Sequence, residues 1–295
     1  MAWIADASLA TAVSEGGGLG LIAAMNADPE WLRTEIRLAK ELTKKPFGVN
    51  IMMKSPFVDA VAQVVVEEGV QIVTTGAGNP ERFMQSWLAA GIKVLPVVPS
   101  VAIARRMENY GAAAVIAEGC ESGGHIGELT TMALVPLVSD AVSIPVVAAG
   151  GIADGRGVAA AFMLGAVGVQ VGTRFLVANE CTVHPNYKQK ILNAKDIDTV
   201  ATGKRLGHPV RALKNKFTEE FLKKEYDPNT SFEELEALGV GALRLAAKEG
   251  DLEQGCFIAG QSAAFVKKEQ PAAQIIREMI TEAENLLRGT NQWLK

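Results

Sequence analysis

The chain has 295 residues, 48% of them hydrophobic, with 29 glycines and a formal net charge of -4. That length suits one large domain, or a barrel carrying an insertion, better than two equal domains. The mild acidity gives no electrostatic reason to expect a nucleic acid or an anionic membrane as partner, and no apolar run approaches the roughly 18 residues of a spanning helix.

In chain order, the sequence opens almost directly on an expected helix, Asp6–Glu15. Strands are predicted at Gly18–Ala24, Phe47–Met53, Val70–Thr75, Lys93–Val98, Ala112–Ala117, Pro145–Ala149 and Val167–Val171. Amphipathic stretches lie between them at Asp28–Lys44, Pro56–Glu68, Pro80–Ala90, Val101–Tyr110, Thr130–Val142 and Asp154–Leu164. Asp28 is placed to cap the first of these, with Pro29 in its first turn. The strands are apolar on nearly every residue, as expected when both sheet faces are covered. Strict alternation with helices means a parallel sheet, and the length per unit favours an α/β (β/α)8 TIM barrel.

Only seven strands are counted, so the first barrel strand is expected to be missing from this sequence. After Phe175 the pattern turns irregular and charged. Residues 179–256 read as a small inserted cap domain of short polar helices, leaving 1–178 plus 257–295 as the barrel. Ala272–Leu287 has helical periodicity and is expected to complete the outer ring.

In such barrels the site lies at the C-terminal ends of the strands. Two glycine-bearing ends stand out: Ala148 to Gly155, with Gly150 and Gly151, and Gln170 to Phe175, with Val171, Gly172 and Thr173. Neighbouring loops of this kind form a phosphate cradle, because glycine lets backbone N–H groups approach the anion closely. FMN, a sugar phosphate or a nucleotide would all fit. Glycines that merely make tight turns are the bland alternative.

His125 sits on a glycine-rich loop after the strand ending at Ala117, where an imidazole can trade a proton near neutrality or bond a developing oxyanion. A structural loop histidine is the alternative. Asn50 is a polar residue in an apolar strand; its amide suits a flavin or base edge, or nearby backbone. Thr74 to Pro80 either lines the pocket or caps the next helix through Asn79. His184 and His208 have no partner at metal-ligand spacing and read as structural or cap-domain residues, so no metal is expected. Cys120, Cys181 and Cys256 form neither a CxxC pair nor a disulfide framework, which fits a reducing, cytoplasmic compartment. Cys120 is close to His125 in sequence, but no third group orients the two as a nucleophilic pair.

These residues resemble the FMN-dependent enoyl-acyl-carrier-protein reductase II branch of the nitronate monooxygenase (2-nitropropane dioxygenase-like) family. The resemblance runs through Met1-Ala2-Trp3, GGGLG at 16–20, KPFGVNIM at 45–52, VTTGAGNP at 73–80 and AEGCESGGHIGELTT at 117–131. It continues through AAGGIADG at 148–155, QVGTRF at 170–175, HPNYKQKIL at 184–192, GHPVRALKN at 207–215 and AGQSAA at 259–264. The GGH and QVGT elements belong to the wider family, whereas HIGELTT, HPNYK and VRALKN look specific to the reductase branch.

The resemblance implies that Ala2, Asn50, Glu118, Gly124, Gly150, Gly151, Gln170, Val171, Gly172 and Thr173 surround FMN, with His125 as the catalytic-site histidine. It implies NADH or NADPH as hydride donor, an acyl carrier protein or acyl-CoA thioester as substrate carrier, frequent homodimers and a response to monovalent cations. Family members carry a strand and a Gly-Gly pair just before the Met-Ala-Trp found here at positions 1–3, and those backbone groups help hold the flavin. A nitronate monooxygenase, and a non-catalytic barrel that only binds a phosphate ligand, are the alternative readings.

Overall fold

The computed structural model describes residues 1–24 and 28–290. Its elements begin with α1 (Ala7–Glu15), β1 (Gly20–Ala23), α2 (Pro29–Leu42), β2 (Phe47–Met52), α3 (Val58–Glu67), β3 (Ile72–Gly76) and α4 (Glu81–Ala89). There follow β4 (Lys93–Val98), α5 (Val101–Asn109), β5 (Val115–Glu118), the two-residue β6 (Gly124–His125), α6 (Thr131–Ser139), β7 (Val146–Ala149), α7 (Gly155–Met163) and β8 (Gly168–Gln170). A 3₁₀ turn at Thr173–Val177 leads to α8 (Pro185–Leu192), β9 (Thr199–Thr202), β10 (Val210–Leu213), α9 (Lys216–Glu225), α10 (Phe232–Gly239) and the single turn α11 (Ala242–Arg244). A second 3₁₀ turn, Gln261–Phe265, precedes α12 (Ala272–Arg288).

Seven strands pair in the order β1-β2-β3-β4-β5-β7-β8, every pair parallel. With helices between successive strands, this is a TIM-barrel-like α/β fold. All seven strands lie where the apolar runs predict them. Val49, Ile51, Val73, Val94, Val115 and Ala117 are buried on strands whose alternate residues face opposite sides of the sheet. Each large aliphatic buried this way contributes about 1.5–3 kcal/mol.

The eighth strand expected of a closed barrel is absent among the described residues, and β1 and β8 each pair on one side only. The turn Met1–Ala5 lies at the upper end of that gap. Ala23 N, at the end of β1, donates to Ala5 O at 2.9 Å. A Cβ on Gly172, just past β8, would sit 3.8 Å from Met1 Sδ.

The helices follow from local chemistry as well as pattern. Asp28 Oδ1 accepts from Glu30 N at 2.7 Å ahead of Pro29, and α2 buries Leu32, Ile36 and Ala39 on one face. Asn79 Oδ1 accepts from Glu81 N at 3.1 Å at the start of α4. The α12 helix completes the outer ring against α7. There Gly155 is so close that a Cβ would lie 2.4 Å from Glu282 Cβ, and its N–H donates to Glu282 Oε2 at 2.7 Å.

Residues 179–256 differ from the expected set of short helices. β10 pairs antiparallel with β9 and, on its other side, with β6, giving a second, three-stranded sheet β6-β10-β9. A small separate core of Ala212, Phe217, Phe221, Leu235, Ala242 and Cys256 lies beneath it. Sequence patterning misses β9 and β10 because they are four residues each and largely half-buried. No helix among the described residues is long and apolar enough to cross a membrane.

Gly20 opens β1 where α1 crosses it, and a Cβ there would lie 1.8 Å from Ala10 O. Gly20→Ala is therefore expected to destabilise by at least about 1–3 kcal/mol, seen as a fall of several degrees in the calorimetric unfolding midpoint. Gly168→Ala, with nothing within 4 Å of the new carbon, is expected to stay within about 0.5 kcal/mol of the parent.

Candidate active site

Because the strands are parallel, their C-terminal ends share one end of the sheet, and register sets which residues stand side by side. Ala23, Asn50 and Thr74 form one row across β1, β2 and β3. Glu118, Ala149 and Gln170 form another across β5, β7 and β8. Gly150 and Gly151 therefore leave β7 beside the turn through Val171, Gly172 and Thr173 that leaves β8. In the first row, Asn50 Nδ2 donates to Thr74 Oγ1 at 2.8 Å, and among the described residues no donor meets the side-chain carbonyl oxygen of Asn50.

The two glycine turns fit an anionic ligand. Gly150 and Gly151 have φ of 97° and 73°, left-handed values that glycine alone adopts readily. A Cβ on Gly150 would lie 2.8 Å from Gly119 O. Among the described residues, the N–H groups of Gly150, Gly151 and Gly172 meet no protein acceptor. Three such half-buried donors in two adjacent turns form a concave set of N–H groups that a phosphate could satisfy.

The loop from Gly119 to His125 is held by the side chain and backbone of Glu121. Its carboxylate accepts from Thr131 N at 2.9 Å and from Thr131 Oγ1 at 2.9 Å, capping α6 from ten residues away. Thr131 Oγ1 also lies 3.0 Å from Gly150 O, and Gln261 N donates to Glu121 O at 2.9 Å. Gly260 N donates to Thr173 Oγ1 at 2.9 Å, so the 259–261 segment joins this loop to the β8 turn. Gly123 packs so tightly on it that a Cβ would lie 2.6 Å from Ala259 C. Arg211, from β10, donates through Nε to Cys120 O at 3.1 Å and through an NH1 nitrogen to Thr199 Oγ1 at 3.2 Å. Neither Glu121 nor Arg211 stands out in the sequence, because their partners are set by the tertiary fold.

Glu118 accepts from Ser122 Oγ at 2.8 Å. Burial pushes its carboxyl up to about 7, against the pull of the Ser122 hydroxyl and of the chain's amino group. His125 is carried on β6, opposite Val210 of β10. Partial desolvation, then the nearby His208 and Lys54, lowers its imidazole below the ordinary value, favouring the neutral or readily proton-donating ring.

Spacing alone gives His208 a structural or cap-domain role. The hairpin-like return of the chain instead brings its ring to 6.0 Å from that of His125, centroid to centroid. His184 does have a structural place: its Nδ1 accepts from Asn186 N at 3.1 Å and caps α8. Burial pushes Cys181 and Cys256 up to about 11 and about 12, the wrong direction for a nucleophile. Among the described residues no cluster of His, Cys, Asp or Glu could hold a metal ion.

Of the residues singled out in the sequence, Glu118, Gly124, Gly150, Gly151, Gln170, Val171, Gly172 and Thr173 thus converge on one side of the mouth. Ala2 is buried in the adjoining turn, and Asn50 stands on the opposite row.

A family profile described as nitronate monooxygenase matches residues 1–282. A solved structure of FabK from Thermotoga maritima is 49% identical, covers 99% of this chain and 93% of its own, and superposes with a TM-score of 0.96. A probable nitronate monooxygenase of Staphylococcus saprophyticus is 33% identical, over 97% of this chain and 94% of its own length. A (3aS,4S,5R,7aS)-5-hydroxy-7a-methyl-1-oxo-octahydro-1H-indene-4-carboxyl-CoA dehydrogenase of Rhodococcus jostii is 39% identical over 72% of this chain. The match spans 60% of that dehydrogenase's length.

The Glu118 shift has a measurable consequence. A carboxyl held at about 7 in the fold and at 4.5 when unfolded binds its proton more tightly in the fold. Its contribution is therefore fully present below pH 4.5 and is lost as pH rises through 7, a change on the order of 3 kcal/mol. Denaturant titrations are expected to show Glu118→Gln gaining stability relative to the parent between pH 4.5 and 7, with a constant difference above pH 8.

Proposed function

From its place in the nitronate monooxygenase family, to which this chain belongs, we propose that it is an FMN-dependent enoyl-acyl-carrier-protein reductase, spending NAD(P)H on the 2,3-double bond of enoyl thioesters. The observation that carries the reading is the union of two features in one mouth: glycine turns with unpartnered N–H groups, and a loop histidine at its rim. The branch within the family is supported by the FabK likeness, since FabK is enoyl-acyl-carrier-protein reductase II.

The chemistry FMN supplies when bound is storage of a hydride between nicotinamide and alkene. The chain's own groups do the rest. The N–H groups of Gly150, Gly151 and Gly172 would hold its phosphate, and the side-chain amide of Asn50 would offer a hydrogen bond to the ring from the opposite row. Glu118, its carboxyl raised to about 7, keeps its proton in a large share of molecules near neutrality, and in that form it would donate a hydrogen bond without adding charge beside an anionic ligand. His125 hydrogen-bonds the thioester oxygen as negative charge develops there, and yields a ring proton to the α-carbon. The residues of the second sheet cover the acyl chain. The thioester arrives on an acyl carrier protein or as an acyl-CoA.

Anaerobic bleaching of the holoprotein by NADH, followed by reoxidation with a 2-enoyl thioester, is the expected behaviour. A second reading is supported by the family profile and by the S. saprophyticus relative: oxidation of alkyl nitronates with oxygen. Reoxidation by oxygen during nitronate turnover, with no response to enoyl thioesters, would establish that reading instead. His125→Ala is expected to retain the yellow colour while losing enoyl reduction by about 10²-fold or more, measured as kcat/KM. Gly172→Val, placed where only the Met1 side chain lies within 4 Å, is expected to keep the unfolding midpoint of the apoprotein but purify without the flavin absorbance bands.

A further inference from the structure

Arg174 stands two positions past Gly172, in the turn that leaves β8, and is only 7% exposed. Its guanidinium donates through Nη1 to Lys268 O at 3.3 Å and through Nη2 to the side-chain oxygen of Gln270. Both acceptors are neutral, and among the described residues no carboxylate lies within ion-pairing distance of it. Glu278 of α12 is reached only through Gln270, whose Nε2 donates to Glu278 Oε1 at 2.8 Å. That oxygen also accepts from Gln274 Nε2 at 2.8 Å and from Lys268 Nζ at 3.4 Å. Arg174 borders a cavity of about 260 Å³ between the start of α7, α12 and the 265–270 segment. The other carboxylates on that cavity are engaged elsewhere: Asp154 with Arg156 Nε at 2.9 Å and Glu282 with Gly155 N at 2.7 Å.

A guanidinium taken out of water without a paired anion is costly, and a neutral side chain of similar volume in its place often costs the fold less. Tying the β8 turn to the 268–270 segment therefore does not by itself account for the charge. The glycine turns present the complementary feature. The N–H groups of Gly150, Gly151 and Gly172 meet no protein acceptor, so neutral donors suited to an anion share a turn with a buried cation that has none.

We infer that Arg174 makes this site select a phosphorylated flavin over an unphosphorylated one, fixing the β8 turn by its two bonds and giving the cofactor's phosphate a positive charge that no carboxylate of the described chain pairs with. The inference rests on the FMN part of the reading above and is independent of which substrate the flavin serves. Thr173, between Gly172 and Arg174, accepts from Gly260 N at 2.9 Å through Oγ1. The turn is thus held on two sides, by Gly260 through Thr173 and by the 268–270 segment through Arg174. Arg174 is a positioning residue: the backbone N–H groups make the contacts, and the guanidinium sets their turn and adds its field. Burial limits the screening of that field by water and salt. Desolvation works against the charge, yet a guanidinium stays protonated across the neutral range.

The test titrates the full-length chain, stripped of flavin, with FMN and separately with riboflavin, following the quenching of flavin fluorescence. Riboflavin has the same ring and no phosphate, so a residue that serves the phosphate changes one affinity and leaves the other. The parent is expected to bind FMN more tightly than riboflavin. In Arg174→Met the FMN Kd is expected to rise by about tenfold or more, with the riboflavin Kd within about twofold of the parent's. Arg174→Lys, which keeps the charge without the two-pronged geometry, is expected to recover part of the loss. Gln270→Met, which removes one acceptor and leaves the charge, is expected to weaken FMN a few-fold and to leave riboflavin unchanged. Should Arg174→Met not fold, Arg174→Lys and Gln270→Met carry the same comparison of the two flavins.

An unchanged FMN affinity in Arg174→Met would overturn the inference, and so would a loss shared equally by riboflavin, which marks a purely structural tie. Arg174→Lys as weak as Arg174→Met, or a parent that holds riboflavin as tightly as FMN, would do the same. Failure of the FMN reading shows differently, as a parent that binds neither flavin.

Discussion

The geometry of the site depends on one residue, Glu121, through its carboxylate and its backbone oxygen. Glu121 accepts from Thr131 at the start of α6 through its side chain and from Gln261 through its backbone oxygen. Through Thr131 it is linked to Gly150 O, and through the 259–261 segment to Thr173. One residue therefore fixes three chain segments relative to one another: the histidine loop, the β7 turn and the β8 turn. The helix end it caps has no cap from its own sequence neighbour, since Thr130 makes no side-chain capping bond. Removing the carboxylate would take the acceptor from Thr131 N and Oγ1 at the start of α6 and cut the side-chain tie between the loop and the β7 turn.

The barrel is legible because its strands are buried on both faces and so appear as continuous apolar runs. Lys93–Val98 coincides with its predicted limits, and the other six differ mainly at their ends. The second sheet is not legible. Its strand β6 is two residues of a glycine-rich loop, and β9 and β10 alternate too briefly to show a period. Their pairing is decided by the long-range return of the chain, which no local window contains.

The same division runs through the site. Glycine turns announce themselves, since a strand-end loop needs a residue without Cβ only where the backbone turns left-handed or must approach something closely. Parallel register then makes adjacent strands' turns adjacent in space. His125 announces itself by sitting in such a loop. His208, Glu121 and Arg211 acquire their meaning only from partners distant in sequence, as the bonds of Glu121 to Thr131 and Gln261 and of Arg211 to Cys120 illustrate. Spacing gives His208 a structural or cap-domain role, and spacing, blind to a hairpin, does not show that its ring lies 6.0 Å from that of His125.

The electrostatics of the mouth are consistent with this division of labour. Backbone N–H groups supply fixed partial positive charge without a titrating group, so an anion can be held across the whole neutral range. A charged carboxylate in the Glu118-Ala149-Gln170 row would work against that, and burial lessens the conflict by raising its pKa to about 7. An anionic ligand beside it would raise that value further, because like charge disfavours ionisation. Ligand occupancy and protonation of Glu118 are thus linked in the same direction.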